Sequence, residues 1–164
     1  RMRQTPSTAP YNAAISACAA GAQWPVSLGL ISEMQLRHIK LNSVSFVSAM
    51  AACASGAQWL EAMHLLASMH TLRLQATVVS YSACIGACEN AAKWQEAVGL
   101  LSEMFFRHLK PSSDCCNAAI SACEKSARWL NALLLFSEMS KLDIERDCYS
   151  FSAAISACDK GGQW

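Results

Sequence analysis

Ser113 to Asp147 reads SDCCNAAISACEKSARWLNALLLFSEMSKLDIERD, and it is one copy of a unit that fills almost the whole chain. Sliding the sequence against itself by 35 residues stacks Trp24, Trp59, Trp94, Trp129 and Trp164 in one column and Cys18, Cys53, Cys88, Cys123 and Cys158 in another. Ala17, Ala52, Ala87, Ala122 and Ala157 form a third, Leu30, Leu65, Leu100 and Leu135 a fourth, and Met34, Met69, Met104 and Met139 a fifth. The 164 residues divide into the tail of a preceding unit (1–7), four full units (8–42, 43–77, 78–112 and 113–147) and a partial unit (148–164). A period of this length marks a solenoid, in which each unit buries its apolar face only against its neighbours.

Composition agrees with a packed array. Hydrophobic residues make up 53% and charged residues 15%, too apolar for a disordered tail. The net charge of +1 favours no polyanion partner by itself, so only a local basic patch would matter. Of the nine cysteines, five share one repeat position, which suits small buried thiols in a reducing compartment better than a disulfide framework. The uncharged run from Gln4 to Ser32 is long enough to imitate a membrane span, but it carries Pro10, Asn12, Gly21, Gln23 and Pro25. No membrane partner is expected.

Within a unit, Tyr11, Ile15 and Cys18 fall at i, i+4 and i+7, joined by Ala14, which predicts an amphipathic helix A. Phe46, Met50 and Cys53 repeat the stripe, as do Tyr81, Ile85 and Cys88, and Phe151, Ile155 and Cys158. Gly21, Gly56 and Gly161 are expected to end helix A in the left-handed conformation, with Ala91 and Ser126 in their place in the other units. Pro25 suits the first turn of a helix B that carries Ala97, Leu100, Leu101 and Met104 on one face. Pro6 and Pro111, in the polar connectors, are expected to stop helix B. The tryptophans are expected to be buried between units. The partial unit has a helix A without a helix B, so its apolar face should be left open. The fold class is all-α, a solenoid of antiparallel helical hairpins.

These units resemble pentatricopeptide repeats, on the strength of the period and of runs such as Tyr11-Asn12-Ala13-Ala14-Ile15-Ser16-Ala17-Cys18 and Leu100-Leu101-Ser102-Glu103-Met104. The resemblance implies a right-handed superhelix with helices A on its concave face. It also implies a role in binding single-stranded RNA in a mitochondrion or chloroplast, one base per unit. In that family the fifth and last residues of a unit read the base edge and the second packs on the base plane. Carried over, the reading pairs are Asn12 with Asn42, Val47 with Thr77, Ser82 with Ser112, and Asn117 with Asp147, followed by Ser152 alone. The first pair looks like a pyrimidine reader leaning to cytosine, the fourth a uridine reader and the third a weak purine reader, while Val47 cannot hydrogen-bond a base edge. Val44, Val79 and Tyr149 are the base-packing residues; Ala9 and Asp114 hold the same place, where Asp114 would repel the RNA backbone. Lys125 and Lys160 are candidate phosphate contacts.

Each residue also has a plainer reading. Asn12 and Asn117 sit near helix starts, where an amide can bond locally to the backbone. Cys84, Cys88, Cys116 and Cys123 have spacings that a zinc ion accepts, yet they lie on the packing stripe and read as core, so no metal is expected. His38 and His108 share a connector position and read as solvated; His64 and His70 fall on helix B. No nucleophile, base and acid arrangement and no glycine-rich phosphate loop is present, so neither enzyme activity, cofactor nor small-molecule substrate is expected. The competing function class is a protein-interaction scaffold that holds a peptide in the same groove.

Overall fold

The computed structural model describes residues 7–162; Pro6 and the rest of the preceding tail through residue 6, together with Gln163 and Trp164, lie outside the described residues. The described residues form nine helices of 13 residues each. Helices A are α1 (Thr8–Ala20), α3 (Ser43–Ser55), α5 (Val78–Asn90), α7 (Ser113–Lys125) and α9 (Cys148–Lys160). Helices B are α2 (Trp24–Leu36), α4 (Trp59–Thr71), α6 (Trp94–Phe106) and α8 (Trp129–Lys141). None of these helices is long and apolar enough to cross a membrane.

The stacking follows from which faces are apolar. Each helix A packs on the helices A of neighbouring units, and each helix B packs on its own helix A and the next, whereas helices B make no backbone approach to one another. The closer spacing of helices A bends the stack so that they line its inner face. In the middle units the helix-A stripe is wholly buried: Phe46, Met50, Cys53, Tyr81, Ile85 and Cys88 are all 0% exposed. At α9 the equivalent Phe151 is 50% and Ile155 68% exposed. They line an open cavity of about 1010 Å3 with Leu133, Phe136 and Cys158.

Both helix ends differ from the sequence expectation. Gly21, Gly56 and Gly161 have negative φ, as do Ala91 and Ser126. The left-handed residue is the next one, Ala22, Ala57, Ala92 or Ala127, with φ between 52° and 54°, and Gly162 at 66°. The backbone N–H two residues after the glycine position reaches back to the cysteine column, as in Gln58 to the Cys53 carbonyl at 2.8 Å. Two orphan carbonyls are satisfied this way, which offsets the roughly 1–2 kcal/mol that a left-handed alanine costs. Helix B ends likewise at His38, Arg73, His108 and Asp143, all at positive φ, with Ile39, Leu74, Leu109 and Ile144 donating to the methionine column at 2.8 Å. Pro111 therefore lies well beyond the stop rather than causing it.

Gly56 and Gly161 serve a different purpose. A Cβ on Gly56 would stand 2.4 Å from Cδ1 of Trp24, and one on Gly161 2.4 Å from Cδ1 of Trp129. Where Ala91 and Ser126 replace glycine, the facing Trp59 and Trp94 instead lie under Lys93 and Arg128, each 5.3 Å from the ring centroid. The four described tryptophans are half-buried rather than buried, since each indole lies at a junction between units open to one side.

Candidate nucleic-acid interface

The last residue of each unit is also the N-cap of the next helix A. Asn42, Thr77, Ser112 and Asp147 all have extended backbone there. In three units the side chain accepts from the N3 backbone N–H, Ser45 to Asn42 at 3.0 Å, Cys115 to Ser112 at 3.3 Å and Ser150 to Asp147 at 2.9 Å. A helix start needs such an acceptor for its orphan donors, and Asn, Asp, Ser and Thr supply one. The cap is thus the last residue of the unit, and in the first and fourth units the fifth residue bonds to it from 30 positions upstream.

Asn12 Nδ2 donates to Asn42 Oδ1 at 3.3 Å, and Asn117 Nδ2 donates to both carboxylate oxygens of Asp147 at 3.0 Å. The structure therefore brings together the fifth and last residues of the first and fourth units. Ser82 and Ser112 share no hydrogen bond, and Val47 has none to give Thr77. The Asp147 carboxyl is held below its ordinary value of 3.8, first by the Ser150 backbone N–H, then by the Ser150 hydroxyl and the Asn117 amide, against the opposing effect of burial.

The second residues flank these pairs on the inner face. Val44 is 57%, Val79 60% and Tyr149 74% exposed, and Asp114 is exposed as well. A large apolar or aromatic side chain left open beside a polar pair is the arrangement that stacks on a flat ring and bonds its edge. Between α7 and α9 a groove of about 450 Å3 is lined by Asp114, Asn117, Tyr149 and Ser152, with Glu89 and Glu124 along its floor.

Those two glutamates were missed in the sequence, and they change the role of the lysines. Lys125 Nζ lies 3.1 Å from Glu89 and Lys160 Nζ 2.8 Å from Glu124, each reaching back one unit. Ser121 and Ser156 donate to the same carboxylates at 2.9 and 2.7 Å. Burial would push the Glu124 carboxyl up, but Lys160 and Ser156 outweigh it and hold it below the usual range. Both ammonium groups are therefore already matched, and what they offer a phosphate is reduced. The signal for this ladder was a Glu followed 36 residues later by a Lys, one more than the repeat period.

Six of the nine cysteines are buried core residues. Burial pushes the Cys53, Cys116 and Cys123 thiols up to about 11 and Cys88 to about 12, and Cys84 Sγ lies 3.4 Å from the Ala62 carbonyl inside the stack. Among the described residues no group of three or more His, Cys, Asp or Glu is gathered to hold a metal ion.

Comparison with known proteins points one way. The pentatricopeptide repeat domain matches residues 29–91 and 64–126, and the PPR repeat matches residues 114–144. No curated protein matches the chain. Two crystal structures of the pentatricopeptide repeat protein PPR10, a maize protein, in complex with an 18-nt psaJ RNA element superpose with a TM-score of 0.84 at 19% identity. The match covers 98% of this chain and 24% of PPR10, so the chain spans about a quarter of that relative. The PPR domain of Arabidopsis thaliana protein-only RNase P 1, solved in complex with tRNA, superposes with a TM-score of 0.80 at 10% identity, covering 94% of this chain and 81% of that one. At these identities the structural matches establish the fold alone. With matched segments running from residue 29 to 144 and the same hairpin stack in solved members, the chain belongs to the pentatricopeptide repeat family.

Proposed function

We propose that the chain binds single-stranded RNA along its concave face, one base per unit, with Asn12 and Asn42 and then Asn117 and Asp147 reading base edges. The observation that carries this is the direct hydrogen bonding of each pair beside an exposed flat or branched side chain, Val44 for the first and Tyr149 for the fourth. Structural relatives solved with RNA lend support to the partner class. Val47 with Thr77 makes the second unit a spacer, and Ser82 with Ser112 gives the third a weak purine reader. Val79 and Tyr149 pack on neighbouring bases, and Ser152 opens the next reading position. The paired state of Lys125 and Lys160 leaves few phosphate contacts, which makes binding weak and its salt dependence shallow. An organellar setting, mitochondrial or chloroplast, and a role in RNA processing, stability, editing or translation are part of the proposal.

The carboxylates of Glu89, Asp114 and Glu124 in one groove favour a second reading, a scaffold that takes a basic peptide there. Fluorescence anisotropy with short single-stranded RNAs separates the two. Uridine opposite the fourth unit should bind more tightly than cytosine, and single-stranded DNA and duplex RNA should bind less. The double substitution Asn117→Ala with Asp147→Ala should abolish the uridine preference. A folded, monomeric sample that binds no RNA and does bind an arginine-rich peptide would replace the RNA reading with the scaffold.

A further inference from the structure

The two Asn readers do not stand alone. Ser45 and Ser150, the third residues of the units that follow, are both 0% exposed. Ser45 Oγ donates to Asn12 Oδ1 at 2.6 Å and Ser150 Oγ to Asn117 Oδ1 at 2.7 Å. Each serine hydroxyl in turn accepts from the backbone N–H of the last residue, Asn42 at 3.4 Å and Asp147 at 3.1 Å.

The direction of this chain of bonds is forced. It starts at the backbone N–H of Ser45 or Ser150, a donor with no alternative, which requires an oxygen from Asn42 or Asp147. An oxygen facing that way obliges the fifth-residue amide to turn its nitrogen toward it. The amide oxygen then faces the serine hydroxyl, which shares its proton between that oxygen, at 2.6 Å for Asn12 and 2.7 Å for Asn117, and the last residue's Oδ1 at 3.0 Å. A flipped Asn117 would set its oxygen against the Asp147 carboxylate, and a flipped Asn12 would set its oxygen against Asn42 Oδ1. The donor side of the amide therefore faces the last residue and the acceptor side the serine, and they cannot exchange places.

We propose that Ser45 and Ser150 are positioning residues that lock the amides of Asn12 and Asn117, and that the lock sets which hydrogen-bonding groups those units present to a base. This rests on the RNA reading above. The lock is absent from the other two units for identifiable reasons: Val47 has no amide to hold beside Ser80, and Cys115 stands where the third unit would need the serine.

The full chain tests it by anisotropy, with uridine or cytosine opposite the fourth unit, in wild type, Ser150→Ala, Ser150→Thr and Ser45→Ala. Loss of one hydrogen bond to the reader predicts that the uridine-to-cytosine ratio falls about fivefold in Ser150→Ala. Ser150→Thr, which keeps the hydroxyl, should retain it, and Ser45→Ala should leave it unchanged while lowering selectivity opposite the first unit. A merely structural serine would weaken all RNAs alike and leave the ratio intact, and that result in a folded Ser150→Ala protein overturns the proposal. The RNA-free protein gives an independent readout, slow side-chain amide hydrogen exchange of Asn117 by NMR, expected to quicken in Ser150→Ala. If wild type binds no single-stranded RNA the functional reading itself fails and base selection by this lock with it; if wild type binds and only the ratio is insensitive to Ser150, the lock alone is wrong.

Discussion

The indole of Trp24 lies so close over Gly56 that a single added carbon would stand 2.4 Å from its Cδ1. Gly56→Ala therefore forces the ring or the backbone to shift, and overpacking of this kind costs about 1–3 kcal/mol. Urea denaturation should show the loss. Gly29→Ala, inside α2 with nothing within 4 Å, should stabilise by about 0.5–1 kcal/mol instead. Adding Gln58→Lys to Gly56→Ala should recover part of the loss, since Ala91 and Lys93 hold that combination around Trp59.

Glu124 competes with any phosphate for Lys160. Glu124→Gln should tighten single-stranded RNA binding and steepen the dependence of log affinity on log salt by about 0.7, the share of one additional phosphate contact on a single strand. A salt titration by anisotropy measures both. An unchanged slope would mean that Lys160 never reaches the RNA backbone.

Thiol labelling should divide the cysteines by burial. Cys148 is exposed and should react first, with half-buried Cys18 and Cys158 following. Cys53, Cys88, Cys116 and Cys123, whose thiols burial holds at about 11 to 12, should resist labelling near neutral pH until the chain unfolds. Mass spectrometry after brief alkylation reports the order; early modification of Cys88 would contradict the packing described.

Ile155→Ser removes an apolar side chain that α9 leaves 68% exposed and should change stability little by urea denaturation. The same change at the aligned position in the second unit, Met50→Ser, falls in a fully buried site and should cost several kcal/mol, about 2–5 by analogy with large-to-small core changes.

Acid should loosen the start of α9. Because the Asp147 carboxyl titrates below 3.8 in the folded chain, its stabilising contribution is fully present above that value and is lost as pH falls through the lower folded one. Asp147→Asn keeps an acceptor for the Ser150 N–H, as Asn42 does for Ser45. Thermal unfolding followed from neutral pH into that acid range should therefore depend less on pH in Asp147→Asn than in wild type.

Much of this architecture was legible in the residues. A period of 35 with Trp, Cys, Ala, Leu and Met columns determined the hairpin, the order of helices and the stack, because a repeated apolar stripe has nowhere to be buried except against its own copies. The family resemblance paired the fifth and last residues by position but did not reveal that Asn117 and Asp147 touch. Tertiary structure alone decided the partners of each polar side chain. The Glu ladder that occupies Lys125 and Lys160, the serines that hold Asn12 and Asn117, and the tryptophan that requires Gly56 all join one unit to the next. Such contacts depend on the few ångströms by which adjacent units slide and tilt, and a pattern that repeats identically along the chain does not record that offset.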